Sequence, residues 1–174
     1  MSSSPSESES EPEPEPESTT SEPVLREARF DQLTTAELYA LLRLRVDVFV
    51  VEQACAYPDI DGRDDEPGTV HVWLEQHGEV LAALRVLEDP DATAIGRVVT
   101  RADQRGHGYA ARLLTAALDR IADRARTGTG PRTVRIGAQT YLEHWYARFG
   151  FVRTGPDYLE DDIPHLPMEL TLTG

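Results

Sequence analysis

Lysine is absent: the 17 basic side chains other than histidine are all arginine. This reads as a nucleotide-composition bias and carries no functional signal. Cysteine occurs once, at Cys55. No intrachain disulfide can form, and nothing points to an oxidising compartment. No run approaches the roughly 18 apolar residues of a membrane span, and the N-terminus lacks the basic-then-apolar order of a signal peptide. A cytoplasmic protein with no membrane partner is the expectation. A basic stripe is also missing, which argues against nucleic acid as a partner. The Gly106-His107-Gly108 turn lacks the third glycine and the downstream ribose-binding acid of a dinucleotide fold. No Gly-Lys-Ser/Thr marks a nucleoside triphosphate site.

Acid, in contrast, is abundant, and unevenly placed. Seven glutamates and no basic residue lie in the first 23 positions, so the stated net charge of −14 falls to −7 for residues 24–174. Residues 1–23, with Ser-Glu repeats and the Glu-Pro alternation of Glu11 to Glu17, form a low-complexity tail with nothing to bury, expected to be disordered and solvating. The remainder is long enough for one domain with its own core.

Periodicity orders that domain. Val24 to Phe30 is an entering strand. Thr34 or Thr35 caps a helix carrying Leu38, Leu41, Leu42, Arg45 and Phe49 on successive turns, ending in Val48-Phe49-Val50-Val51. Glu52 to Gly68 reads as an acidic loop. Val70 to Glu75 and Val80 to Leu87 form a hairpin through His77-Gly78, and the second run, apolar on both faces, is a central strand. Ile95 to Thr100 is a strand whose Gly96 marks a bulge or a close backbone contact. Tyr109 to Ala125 repeats apolar residues at i, i+3 and i+4 and is a helix stopped by Gly128, Gly130 and Pro131. Thr133 to Ala138, a two-turn helix through Leu142 to Phe149, and a pair of strands at 151–154 and 166–172 around an acidic loop complete an α/β domain on a mixed sheet.

The chemistry centres on Arg105-Gly106-His107-Gly108-Tyr109-Ala110. A strand, a short turn and a helix N-terminus in that order make an anion site, because the first helical N–H groups have no internal partner and carry the positive end of the macrodipole. Glycine at 106 and 108 lets the backbone approach a phosphate. Taken alone the turn is a weak signal, equally read as two turn glycines before a helix. Arg97, Arg101, Arg105 and Arg112 cluster around it and predict a local positive patch.

Ile95-Gly96-Arg97-Val98-Val99-Thr100, the turn itself, and Tyr146-Ala147-Arg148-Phe149-Gly150-Phe151 together resemble the GNAT (Gcn5-related) N-acetyltransferases. Arg105, Gly108 and Ala110 meet the Arg-x-x-Gly-x-Gly/Ala signature, and Tyr146, Gly150 and Phe151 meet Tyr-x-x-x-Gly-Phe. The segments 44–53, 57–61 and 161–165 resemble the ElaA-like branch, and the likeness spans roughly residues 25 to 172. It implies a GNAT fold: a mixed, mostly antiparallel sheet of six to seven strands flanked by helices and splayed at the acetyl-CoA site. It implies that residues 105–110 (Arg105, Gly106, His107, Gly108, Tyr109, Ala110) hold the pyrophosphate of acetyl-CoA, the acyl-donor cosubstrate. Val98, Val99 and Thr100 would pair with the pantetheine arm, an N–H there stabilising the oxyanion. Tyr146 would protonate the departing thiolate; from spacing alone it equally fits the apolar stripe of Leu142, Trp145 and Phe149.

An alkylammonium must lose a proton before attack. Glu52 is the candidate base, and Asp59, Asp61, His71 and His165 are candidate amine-binding groups, each also readable as a loop acid or a half-buried histidine. Cys55 is a poor candidate nucleophile, with no helix N-terminus or basic partner to lower its pKa. No metal is called for. The expected activity is direct transfer of acetyl to a small-molecule or peptide amine in a ternary complex. Alternatives are a longer acyl group or a CoA-binding regulatory module without turnover. A homo-oligomer is possible but not readable.

Overall fold

The computed structural model describes residues 22–173. The acidic tail expected over 1–23 therefore lies outside the described residues, apart from its last two positions.

Strand β1 (Val24–Arg29) leads to helix α1 (Thr35–Arg45). Thr34 is the N-cap: its hydroxyl accepts from the Glu37 N–H at 3.2 Å, and Glu37 accepts in return from the Thr34 N–H at 2.9 Å. This reciprocal box satisfies two otherwise orphaned donors. Beyond Arg45 the helix widens into a π-helical stretch, Val46–Glu52, closed by the Gln53 N–H on the Val48 carbonyl at 3.0 Å. Such widening is common near functional sites, and it was not legible in the apolar spacing.

After the loop come β2 (Val70–Gln76) and β3 (Glu79–Glu88). They are joined through His77 and Gly78, both at positive φ (53° and 78°), the combination that matches the twist of a two-residue hairpin. β4 (Thr93–Thr100) pairs antiparallel with β3 and shifts register opposite Leu84. Arg97, not Gly96, takes the positive φ of this bulge, at 53°. Helix α2 (Tyr109–Arg126) returns the chain to β5 (Thr133–Gln139). A single helical turn precedes the short α3 (Glu143–Ala147). β6 (Val152–Arg153), β7 (Tyr158–Glu160) and β8 (Ile163–Thr171) close the domain.

The sheet has eight strands in the order β1-β2-β3-β4-β5-β8-β6, with β7 also on β8, and every pair is antiparallel except β4–β5. This is the mixed, mostly antiparallel α/β architecture expected, with one strand more. The additional strand, β7, falls in what reads as an acidic loop. Its turn into β8 uses Asp161 and Asp162 at positive φ, where no glycine signals a turn.

Two cores sandwich the sheet. Leu41, Leu44 and Val48 pack on Trp73, Ala83 and Val99 on one face. Leu113, Leu114, Ala117 and Ile121 of α2 pack with Val72, Leu74, Leu84, Val134 and Ile136 on the other. Each leucine so buried contributes about 1.5–3 kcal/mol relative to exposure. β3, buried on both faces from Val80 to Leu87, is the central strand its composition predicted.

Candidate active site

β4 and β5 register only at Thr93 with Val134 and Ala94 with Arg135; beyond that point they separate. The bulge at Arg97 turns β4 away from its parallel neighbour. Val99 is buried against α1, and Val98 packs partly against the α2 core. With both side chains occupied, the strand presents its backbone to the gap. A cleft of about 820 Å³ opens there, with Val98, Val99 and Thr100 in its lining.

At one end of the cleft lies the glycine turn. Gly106 and Gly108 have φ of 84° and 76°, and a Cβ built on either meets nothing within 4 Å. Glycine is needed there for backbone conformation, and the space before it is open to a ligand. Gly108 caps α2 with no side-chain hydrogen bond, and the first turn of the helix holds no acid. The leading N–H groups and the positive helix end are thus free of a competing carboxylate. His107 stacks on Tyr109 with centroids 5.5 Å apart.

The expected positive patch does not form. Arg97 is paired with Asp59 and Asp61, Arg101 with Asp103 and Glu79, and Arg105 with Glu52. Arg112 donates to the Pro23 carbonyl at 3.0 Å. Each guanidinium finds an acceptor on an element distant in sequence, so the anion site rests on backbone N–H groups and the helix dipole.

Tyr146, on α3, lines the middle of the cleft and is only 5% exposed. Trp145 meets its ring edge-on at 4.7 Å, and Phe151 at 6.0 Å. Among the described residues its hydroxyl has no hydrogen-bond partner. Burial, with Tyr141 nearby, pushes its pKa up to about 12, so it keeps its proton at neutral pH.

The other end lies across β5, β8 and β7. Val134, Ile136 and Ala138 face α2, so alternation turns Gly137 and Gln139 toward the opposite, α1 side of the sheet. Gln139 is registered with His165, and His165 with Tyr158; Ile163 and Glu160 form the next pair on the same face. All of these line the cleft. The Tyr158 hydroxyl lies so close over Gly137 that a Cβ there would sit 2.5 Å from it, which explains a glycine inside a strand. Gln53 and Gln139 tie the end of the π-helical stretch to β5, and the Cys55 thiol donates to the Asp161 carbonyl at 3.2 Å.

The sequence profile of the acetyltransferase (GNAT) domain matches residues 43–172. The chain belongs to the GNAT acetyltransferase family. A UPF0039 protein of Mycobacterium tuberculosis is 47% identical over 149 residues, which are 83% of this chain and 90% of that one. The crystal structure of an acyl-CoA N-acyltransferase from Pseudomonas aeruginosa superposes with a TM-score of 0.78 at 40% identity, covering 86% of this chain and all of the other. That of Escherichia coli ElaA gives 0.77 at 34% identity over 84% and 99% of the two chains. The chain therefore sits in the ElaA-like branch of the family.

Within this GNAT domain, several residues singled out from sequence lie away from the cleft. Asp59, 3% exposed, accepts from Arg45 Nε at 2.8 Å and pairs with Arg97 at 2.9 Å. Asp61 accepts from both Nη atoms of Arg85, at 2.7 and 2.6 Å. Neither lines the cleft. They belong, with Asp64, to a network of three arginines and three aspartates, buried at Arg45, Arg85, Asp59 and Asp64 and partly open at Arg97 and Asp61, that pins the 53–68 loop to β3 and to the bulge of β4. His71 lies outside the cleft too: it is 3% exposed, its Nε2 donates to the Asp64 carbonyl at 3.1 Å, and burial lowers its pKa, keeping it neutral.

Glu52 does line the cleft, but its hydrogen bond from Arg105 holds its pKa below the ordinary carboxylate value, which makes it a weak base. It is better described as the anchor of the turn's arginine. For Cys55, burial, then Asp161 and Asp162, push the thiol pKa up, against a nucleophilic thiolate.

Cleft residues missed from sequence include Gln53, Tyr57, Gly137, Gln139, Tyr158 and Glu160. Gly137 within a strand was the one available signal.

Proposed function

We propose that the protein transfers the acetyl group of acetyl-CoA to a primary amine, with both substrates bound at once. The observation that carries this reading is the continuity of one cleft from the glycine turn at the N-terminus of α2, past the unpaired stretch of β4, to the unpartnered hydroxyl of Tyr146. The turn suits a pyrophosphate, the open strand edge suits the amides of a pantetheine arm, and a buried phenol suits a departing thiolate. An acyl-CoA N-acyltransferase among the similar structures accords with this order.

In the reaction, the amine nitrogen attacks the thioester carbonyl carbon. An N–H of the 98–100 segment supports the oxyanion, and collapse breaks the C–S bond. Glu160 and Asp161 border the acceptor half, and no ion pair among the described residues engages them, which suits an acceptor that arrives as an ammonium ion.

Acetyl-CoA incubated with a panel of primary alkylamines is expected to release free thiol only when an amine is present. Tight acetyl-CoA binding with no thiol release from any amine would favour a CoA-binding regulator.

Gly108→Val tests the turn. A β-branched residue at φ 76° is strained, and its side chain would enter the space reserved for the phosphate. Loss of acetyl-CoA binding by calorimetry is expected, with the melting temperature lowered only modestly. Unchanged affinity would remove the turn from the donor site.

A further inference from the structure

We infer that His165 is the group that takes the proton from the incoming ammonium, through Nε2. The inference rests on the transferase reading above and assigns the base which that reading leaves open.

The His165 Nδ1 lies 2.8 Å from the Ile163 carbonyl oxygen. A carbonyl can only accept, so Nδ1 carries the hydrogen, and the lone pair of the neutral ring is on Nε2. The ring is held in place as well as in tautomer. Tyr158, its register partner on β7, stacks on it with centroids 5.9 Å apart and planes 29° from parallel. Tyr158 is in turn seated over Gly137, where only a glycine leaves room for its hydroxyl. A histidine fixed by a backbone carbonyl and a stacked ring, on the wall of the cleft that also holds Tyr146, has the arrangement of an oriented base.

Its surroundings suit the task. From β7, the turn after it and the 53–68 loop, the ionisable groups lining the cleft are Tyr158, Glu160, Asp161, Cys55 and Tyr57, and the two arginines that line it, Arg97 and Arg105, are each paired with carboxylates. Glu160 and Asp161 thus leave an uncompensated negative potential that draws an ammonium toward the imidazole. Glu52 is committed to Arg105.

The protons balance. The ammonium brings three hydrogens, and the amide product keeps one. His165 Nε2 removes the first before attack and returns it to solvent. Tyr146 gives its proton to the thiolate as the C–S bond breaks, and is restored by the proton that the new C–N bond sheds.

Two measurements decide the matter. In the free protein, two-dimensional ¹⁵N–¹H NMR of the imidazoles, recorded at alkaline pH, should find the hydrogen of the His165 ring on Nδ1 and Nε2 bare; an Nε2–H tautomer would overturn the assignment whatever the activity. Kinetics with acetyl-CoA should then separate two acceptors of nearly the same shape: benzylamine, which is charged at neutral pH, and phenylhydrazine, which is not. His165→Gln is expected to lower kcat/KM for benzylamine by about 10²- to 10⁴-fold and for phenylhydrazine by less than tenfold, with acetyl-CoA affinity unchanged. Equal losses for both acceptors, or none, would sink the base role while leaving the transferase reading intact. A wild-type protein that uses no amine would sink the transferase reading, and the NMR result would still report whether Nε2 is free to accept a proton.

Discussion

Tyr146→Phe is expected to lower kcat by about 10²- to 10⁴-fold while leaving acetyl-CoA affinity nearly unchanged. The substitution removes one oxygen atom and keeps the ring contacts with Trp145 and Phe151. That oxygen has no hydrogen-bond partner among the described residues, so the fold loses no polar contact and the melting temperature should stay close to the wild-type value. On the proposed mechanism, what is lost is the donor to the sulfur as charge develops on it. With its pKa raised to about 12, the phenol holds its proton until charge builds on the sulfur, and its hydrogen bond strengthens until the proton passes to the thiolate. Saturation kinetics and calorimetry on the same preparation check both halves. Wild-type turnover at every pH would remove the tyrosine from the mechanism.

Asp64→Ala is expected to destabilise the protein by about 3–5 kcal/mol, the range for breaking a buried ion pair from one side. For a chain of this size that is roughly a 6–20 °C fall in melting temperature. Asp64 accepts from Arg45 Nη1 at 2.5 Å and from Arg85 Nη1 at 3.0 Å, and both arginines are only 3% exposed. Its removal leaves two guanidiniums in the interior with one carboxylate fewer than the network needs. Scanning calorimetry of the variant beside the wild type measures the loss, and a change under 1 kcal/mol would mean that water reaches the network.

Acid should act on the same groups. Burial raises the pKa values of Asp61 and Asp64, but hydrogen bonds and charge from Arg85 and Arg45 outweigh it, and both end below the ordinary carboxylate value. The stability they contribute is therefore complete above about pH 4, the ordinary range of an unfolded aspartate. It is lost as pH falls through their lower folded values.

The elements that read correctly from sequence are those whose cause is local. The His77-Gly78 hairpin, the helix cap read as Thr34 or Thr35 and the long apolar stripe of α2 depend on residues a few positions apart, and the glycine turn before α2 depends on backbone freedom at two sites. The matched signatures around Arg105 and Tyr146 carried the family, because their spacing along the chain is itself the pattern.

What escaped was set by pairing between distant strands and by burial. Whether an arginine is a free cation depends on which carboxylate the sheet brings to it: Arg105 meets Glu52, and Arg97 meets Asp59 and Asp61. In composition the 53–68 loop was simply acidic; in the fold Asp59 and Asp64 are buried charge partners of arginines on α1, β3 and β4. Tyr158 and His165 sit beside Gln139 through register alone, with nothing in their own neighbourhoods to announce it. Thus the chain order of strand, turn and tyrosine was enough to identify the family. The proposed acceptor side forms where the β7–β8 hairpin lies beside β5, remote in sequence, and periodicity along a single strand cannot say which neighbour it will lie against.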